Sequence, residues 1–260
     1  MTRHPSVIAE EFAVADGGRV VWLSVDNPGK INILDSRLCA ALRDAVAGLA
    51  GDADLRAVVL RGAGESAFIG GADIREMANL DPASARAFIT TLHEACASLR
   101  DLPVPVIARI QGYCLGAGLE VAASCDLRVA ADDATFAMPE VKVGIPSVIE
   151  AALLPGLVGW GKARELMFTG EPMDAAEARA CGLVERVVPA GELDAAVARW
   201  LDSITAAGPR AIRAQKALIR QWRALPLDRA IDAGIDTFAA AYETDEPARL
   251  MNRFLERPRR

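Results

Sequence analysis

The stretch "IQGYCLGAGLEVAASCDLRVAADDATFAMPE", residues 110–140, sets the architecture that the rest of the chain must fit. It starts where the strand-like run "VPVIARIQG" ends and turns through Gly116-Ala117-Gly118. A short helix follows, whose turns carry Val121, Ala122 and Ala123. "LRVAADDATFAMPE" then accommodates two more short strands. This succession predicts a mixed α/β core. From Tyr113 to Cys125 the only charge is Glu120. A carboxylate near a helix N-terminus is favoured by the macrodipole and by the unpaired N–H groups there, and for an isolated glutamate that account suffices. Glu140 follows Pro139 at the end of a strand-like run, a position that can aim a side chain into a cleft. On its own it reads as an ordinary turn residue. Twenty positions separate the two glutamates, so only tertiary structure can pair them.

Upstream, "SVIAEEFAVADGGRVVWLSVD" predicts a hairpin turning at Asp16-Gly17-Gly18. "NPGKIN" breaks the second strand, and Asp35 or Ser36 caps a helix carrying Leu38, Leu42, Ala45, Val46 and Leu49. "LRAVVLRG" (55–62) is a short buried strand, followed by the loop "AGESAFIGGAD". Asp81-Pro82 then opens a helix reaching about Arg100, with proline at the first helical position. Beyond Pro146 helices dominate. "GWGKARELMFTG" ends at Gly170 and "DAAEARACG" at Gly182, each with a glycine C-cap, and "VERVV" supplies one more strand. From Glu192 onward the pattern is amphipathic helix punctuated by Gly208-Pro209, Pro226 and Pro247. The expected layout is an α/β core over 1–200 and a helical C-terminal region over 201–260.

Bulk properties exclude several classes. A chain of 260 residues can bury a full-sized core. Its net charge of −6 gives no general attraction to nucleic acid or to an anionic membrane. Cys39, Cys96, Cys114, Cys125 and Cys181 show no ordered spacing and read as small buried hydrophobes in a reducing compartment. No apolar run approaches the length of a membrane span. "MTRHPSVIAEEF" lacks the apolar region of a signal peptide, so a cytoplasmic location is expected. The two histidines, His4 and His93, lack the companions of a Ser-His-Asp triad or a zinc site, and no metal is expected. His93 reads as a partly exposed helix residue beside Glu94, and no P-loop motif is present.

Gly62-Ala63-Gly64-Glu65-Ser66-Ala67 follows a strand and formally matches the dinucleotide fingerprint. That motif needs a helix to open at once, whereas here the chain continues through Phe68-Ile69-Gly70-Gly71, so a turn-rich loop is the better reading. Further along, "AFIGGADIREM" sets two glycines before Ala72, with a short helix from Asp73. Glycines there let the main chain approach a ligand, and amides at the helix entrance can point into a cleft. "GYCLGAGLE" repeats the device. Two such amides facing one pocket would form an oxyanion hole.

At these residues the chain resembles a family. "AFIGGADIREM", the 110–140 stretch and "LMFTGEPMDAAEARACGLVERVVP" together look like the enoyl-CoA hydratase/isomerase, or crotonase, family, and the likeness runs from "NPGKINIL" to "FLERPRR". The resemblance implies a crotonase-like spiral of ββα units with a helical C-terminal region that builds a homotrimer, usually paired into a hexamer. It implies that the N–H groups of Ala72 and Ala117 form the oxyanion hole for a thioester carbonyl. Gly70, Ala72, Asp73, Ile74 and Arg75, with Ala117, would line the acyl-CoA site, and Lys30 would approach the CoA nucleotide. Glu120 and Glu140 fall on the two glutamates that hydratases of the family use. Isomerases commonly retain one of these, so the presence of both favours hydration: syn addition of water to a 2-enoyl-CoA in fatty-acid (β-oxidation) or related metabolism. Coenzyme A then enters as part of the substrate, with no further cofactor.

Glu120 is assigned as the base that activates water and Glu140 as the donor of the C2 proton. The family often reads P-E-x-x-x-G-x-x-P-G-x-G-G-T after the second glutamate. This chain has "PEVKVGIPSVIEAALLP", one residue shorter before the proline and without the glycine cluster, which leaves the acyl pocket's shape open. Glu150 is an added carboxylate there, read as a helix N-terminal residue. Alternative readings are an isomerase or decarboxylase of the same superfamily and a non-catalytic acyl-CoA-binding or RNA-associated homologue. A dehydrogenase built on the Gly62 motif ranks last.

Overall fold

The computed structural model describes residues 4–15, 17–29 and 31–256. β1 (Ser6–Ala13) and β2 (Arg19–Asp26) pair antiparallel from Ser6–Asp26 to Ala13–Arg19; Asp16, at the expected hairpin turn, lies outside the described residues. α1 (Ser36–Ala47) starts where Asp35 accepts the Leu38 N–H at 2.8 Å, as the capping pattern predicts. β3 (Leu55–Gly62), β4 (Ala67–Ile69), α2 (Ile74–Met77) and α3 (Pro82–Asp101) come next. Asp81 and Ser84 close a reciprocal capping box around Pro82 at the head of α3. β5 (Val106–Ile110), β6 (Tyr113–Leu115), α4 (Ala117–Ala123), β7 (Leu127–Ala131) and β8 (Thr135–Ala137) form the centre. Two 3-10 turns, Pro139–Val143 and Ile149–Leu153, lead into α5 (Leu154–Thr169). The chain then runs through β9 (Met173–Asp174), α6 (Ala175–Ala180), β10 (Arg186–Val188), α7 (Leu193–Ala206), α8 (Pro209–Trp222), α9 (Leu227–Ala241) and α10 (Glu246–Leu255).

The strands form two sheets. The larger has the order β1-β2-β3-β5-β7-β10 and is parallel beyond the first hairpin; the smaller has the order β4-β6-β8-β9. Each of the pairs β3–β4, β5–β6 and β7–β8 sends its first strand to the larger sheet and its second to the smaller. Helical structure follows every pair, so the chain spirals in ββα units. β3 is buried at every position but Arg61 because both of its faces are covered. Val58 and Leu60 join the main core with Leu38, Leu42, Leu92 and Leu99, whereas Ala57 and Val59 meet Leu193, Ala196 and Val197 of α7. Fully burying a leucine stabilises by about 2 kcal/mol, so Leu38 and Leu42 alone fasten α1 firmly.

The small second strands were hidden in the sequence. β4 lies inside the stretch that reads as loop, and β6 is three residues long, too short to show a period. Glu140 also sits differently from expectation. β8 ends at Ala137, and Glu140 lies in a 3-10 turn, because Pro139 offers no N–H to a strand ladder and opens a helical turn instead.

α4 is buried along its whole length. A Cβ added at Gly118 would lie 2.2 Å from the Ile69 carbonyl oxygen, so only glycine lets α4 lie this close to β4. Long polar side chains tie α7 and α8 to the core. Arg56 donates to the carbonyls of Thr205 and Ala207, and buried Lys216 reaches those of Leu99 and Val104 as well as Asp126 at 2.7 Å. Burial pulls the Lys216 pKa below its ordinary value, against the pull of Asp126. Leu227, Ile231, Ile235, Phe238 and Tyr242 form an exposed apolar row along α9. Among the described residues no helix is long and apolar enough to cross a membrane.

Candidate active site

The main-chain N–H of Ala72 is freed by its neighbours. Leu34 pairs in parallel fashion with the residues on either side: its N–H donates to Gly71 and its carbonyl accepts from Asp73. Ala72 therefore turns its own N–H away from Leu34. Ala117 is the first residue of α4, so its N–H has no intrahelical carbonyl to bond. Gly116, at φ 51° and ψ −117°, turns the chain from β6 into that helix, in a conformation that L side chains rarely adopt. β4 and β6 run side by side, and the segments leaving their ends bring Ala72 and Ala117 to one cavity.

That cavity has a volume of about 210 Å3 and is also bordered by Gly70, Ile74, Glu120 and Glu140. Its apolar wall comes from Met77, Phe88, Ile89, Leu92, Val143 and Val148. Gly70, Ala72 and Ile74 continue into an outer groove shared with Asp73, Arg75, Gly29, Ile31 and Ile33. There the Asp73 carboxylate caps α2 by accepting from the N–H groups of Arg75 and Glu76, while Arg75 is exposed. Asn32 shapes the segment of Ile31 and Ile33 by accepting from Asn27 N–H and donating to the Ala63 and Ala67 carbonyls. Lys30 lies outside the described residues. The described residues singled out as site residues from sequence thus border one cavity and its groove.

The two carboxylates have unlike surroundings. Glu120 is buried, 4% exposed, and its Oε1 accepts the Ala151 N–H at 3.0 Å. Burial pushes its pKa up to about 8; the Ala151 N–H opposes that rise, while the charges of Glu140 and Glu150 add to it. Glu140 is half-buried, and its Oε2 accepts from the Ser147 hydroxyl at 2.8 Å. Ser147 and Ala151 were missed from sequence. Ser147 left one signal, a hydroxyl standing where the related pattern has glycine. Glu150 lies in the first turn of a helix, as expected, yet it is buried against α3, where its Oε1 accepts from Arg100 at 2.6 Å and pairs with His93 Nδ1 at 2.9 Å. All five cysteines are free and four are buried. Among the described residues no cluster of side chains could hold a metal ion.

A spiral of ββα units that sets two carboxyl groups and the Ala72 and Ala117 backbone on one apolar cavity is the architecture of the crotonase class. Solved structures of similar shape include the crystal structure of an enoyl-CoA hydratase from Mycobacterium smegmatis, with a TM-score of 0.92, 32% identity, and coverage of 98% of this chain and 99% of that one. A sequence profile of the enoyl-CoA hydratase/isomerase family matches residues 16–260, and the chain belongs to that family. Its relatives include a short-chain-enoyl-CoA hydratase of Clostridium acetobutylicum, 33% identical with 92% of each chain covered. A crotonyl-CoA hydratase of Syntrophomonas wolfei is 34% identical over the same shares.

Proposed function

We propose that the protein is an enoyl-CoA hydratase, a hydro-lyase that adds water in syn fashion across the 2,3-double bond of a 2-enoyl-CoA thioester and reverses that addition. One observation carries the reading: Glu120 and Glu140 border the same cavity as Ala72 and Ala117. The thioester carbonyl sits where groove and cavity meet and accepts from both amides. Attack at C3 drives negative charge onto that oxygen, and losing one such donor typically costs about 3–4 kcal/mol of transition-state stabilisation.

The carboxyl pair handles the protons. Water oxygen bonds to C3, a carboxylate takes one water proton, and the other carboxyl gives a proton to C2, so the pair ends with one proton as it began. We assign the base to Glu120 and the C2 donor to Glu140. Below pH about 8 burial keeps the pair's one proton on Glu120 in the free protein, so this assignment requires that proton to pass to Glu140 when substrate binds, leaving ionised Glu120, a stronger base than an ordinary carboxylate, to take the water proton. Both groups border one cavity, which suits delivery of oxygen and proton to one face of the alkene.

Coenzyme A follows the outer groove past Arg75, with Lys30 near its nucleotide on the strength of the family resemblance. No other cofactor is required by this chemistry. The small apolar cavity suits a short acyl chain in fatty-acid or related metabolism, in keeping with the names of the two relatives. The apolar row on α9 supports a homotrimer, or a hexamer of paired trimers, and five free cysteines suit a reducing cytoplasm.

The test is loss of the enoyl-thioester absorbance across short, medium and branched 2-enoyl-CoA substrates. An unchanged trace with all of them rejects the proposal, and product analysis separates hydration from isomerisation or decarboxylation. Glu140→Gln should lower hydration by about 10²–10⁴-fold, the range for losing a general acid or base.

A further inference from the structure

One short segment grips both glutamates. The Ser147 hydroxyl donates to Glu140 and the Ala151 N–H donates to Glu120. Between them Ile149 adopts φ 39°, a conformation that a β-branched residue takes only when its surroundings enforce it. Glu150 is the adjacent residue. Its side chain, 3% exposed, leaves the cavity side and enters the face of α3, where Arg100 donates to its Oε1 and His93 meets the same oxygen. His93 and Arg100 stand seven residues apart on α3, two helical turns, and so share one face. Glu150 Oε2 is buried and has no hydrogen-bond partner among the described residues. The whole hold therefore passes through one oxygen. Arg100 also donates to the Ser124 hydroxyl at 3.3 Å, and that hydroxyl donates to the Glu120 carbonyl, so the guanidinium also reaches the C-terminal end of α4, the helix that carries Glu120.

We propose that Glu150, clamped to α3 by Arg100 and His93, is a positioning residue that fixes the 147–151 turn and thereby sets the spacing of Glu120 and Glu140. A strained turn is maintained by whatever over-determines it, and the ion pair is the one strong anchor next to the strained residue. The clamp reaches the reacting atoms only through Ser147 and Ala151. It rests on the hydratase reading for its kinetic arm alone.

The experiment compares wild type with Glu150→Gln, with Arg100→Met and with the double variant Arg100→Met/Glu150→Met. The double variant removes both charges together and avoids stranding one of them, a replacement that buried ion pairs often tolerate. Expected for the double variant are a thermal midpoint close to wild type and a kcat for 2-enoyl-CoA hydration lowered by about 10- to 100-fold, the effect of misplacing catalytic groups by about an ångström, with KM changed less than about twofold. Hydrogen exchange of the peptide spanning 147–153 should speed up in parallel, and Glu150→Gln, which keeps an acceptor for Arg100, should restore most of kcat. A folded double variant with wild-type kcat and wild-type exchange overturns the inference. If the double variant fails to fold, Glu150→Gln and Arg100→Met decide by the same two readouts. If wild type hydrates no 2-enoyl-CoA, the hydratase reading fails by itself, and exchange of the 147–153 peptide still decides whether the clamp orders the turn.

Discussion

Glu140 Oε1 occupies the space into which a side chain at Gly116 would grow: a Cβ built on Gly116 would lie 2.6 Å from it. The residue that turns the chain into α4, and so presents the Ala117 amide, also leaves room for a carboxylate arriving from another unit of the spiral. The proposed oxyanion donor and the proposed proton-transfer group are thus coupled through one missing methyl.

Gly116→Ala tests that coupling. The added methyl meets a φ of 51° and displaces Glu140, so stability should fall by about 1–3 kcal/mol. Hydration should fall by about 100-fold, because the carboxyl no longer reaches C2. Thermal melts and the enoyl-CoA absorbance assay measure the two effects, and an unaltered rate would refute the steric argument.

Glu120 makes stability depend on pH. Its carboxyl keeps its proton up to about 8 in the folded chain, against 4.5 as the ordinary value. Folding therefore binds a proton between these limits, and the associated stability, complete below 4.5, drains away as pH rises through 8. Glu120→Gln stays neutral and can still accept from Ala151. It should gain on the order of 4 kcal/mol over wild type at pH 8 and little at pH 4.5, as read from denaturant midpoints. An equal gain at both pH values would mean that Glu120 does not titrate in this way.

The same proton shapes the rate. In the proposed hydration the singly protonated carboxyl pair is the working form, so wild-type kcat/KM should decline as pH climbs past about 8, when Glu120 loses its proton. A rate that keeps rising to pH 10 contradicts the shared-proton mechanism.

Phe88 closes part of the acyl cavity from α3 and is 6% exposed. Phe88→Ala should move the preference toward longer acyl chains, raising the ratio of eight-carbon to four-carbon kcat/KM by about tenfold or more, since each methylene accommodated is worth about 1–3 kcal/mol. A constant ratio would place the chain terminus elsewhere.

The apolar row on α9 predicts assembly. Phe238, 67% exposed, and Ile235, 63% exposed, would be costly to leave in water in isolation. Ile235→Asp/Phe238→Asp should shift the mass measured by light scattering from a trimer or hexamer toward the monomer. A wild type already monomeric would show that the face serves something else.

Local signals in the chain announced much of this molecule. Asp35, Asp81-Pro82, and the glycines at 170 and 182 mark helix ends through short-range hydrogen bonding and backbone sterics, and the structure has them where the residues predict. The apolar centre of 55–62, Ala57 to Leu60, announced a short buried strand. The glycines at 70–71 and at 116 and 118 marked the turns that bring Ala72 and Ala117 to the cavity, because only particular residues permit such backbone. What the residues in order could not decide was everything that depends on who meets whom. Three-residue strands such as β4 and β6 exist only because a neighbouring strand completes their hydrogen bonds. The raised pKa of Glu120 comes from burial by α3, α4 and the 147–151 turn, and the grip of Arg100 on Glu150 spans fifty positions. Local backbone preference is written residue by residue, whereas desolvation, charge pairing and cavity shape arise from the packed chain as a whole.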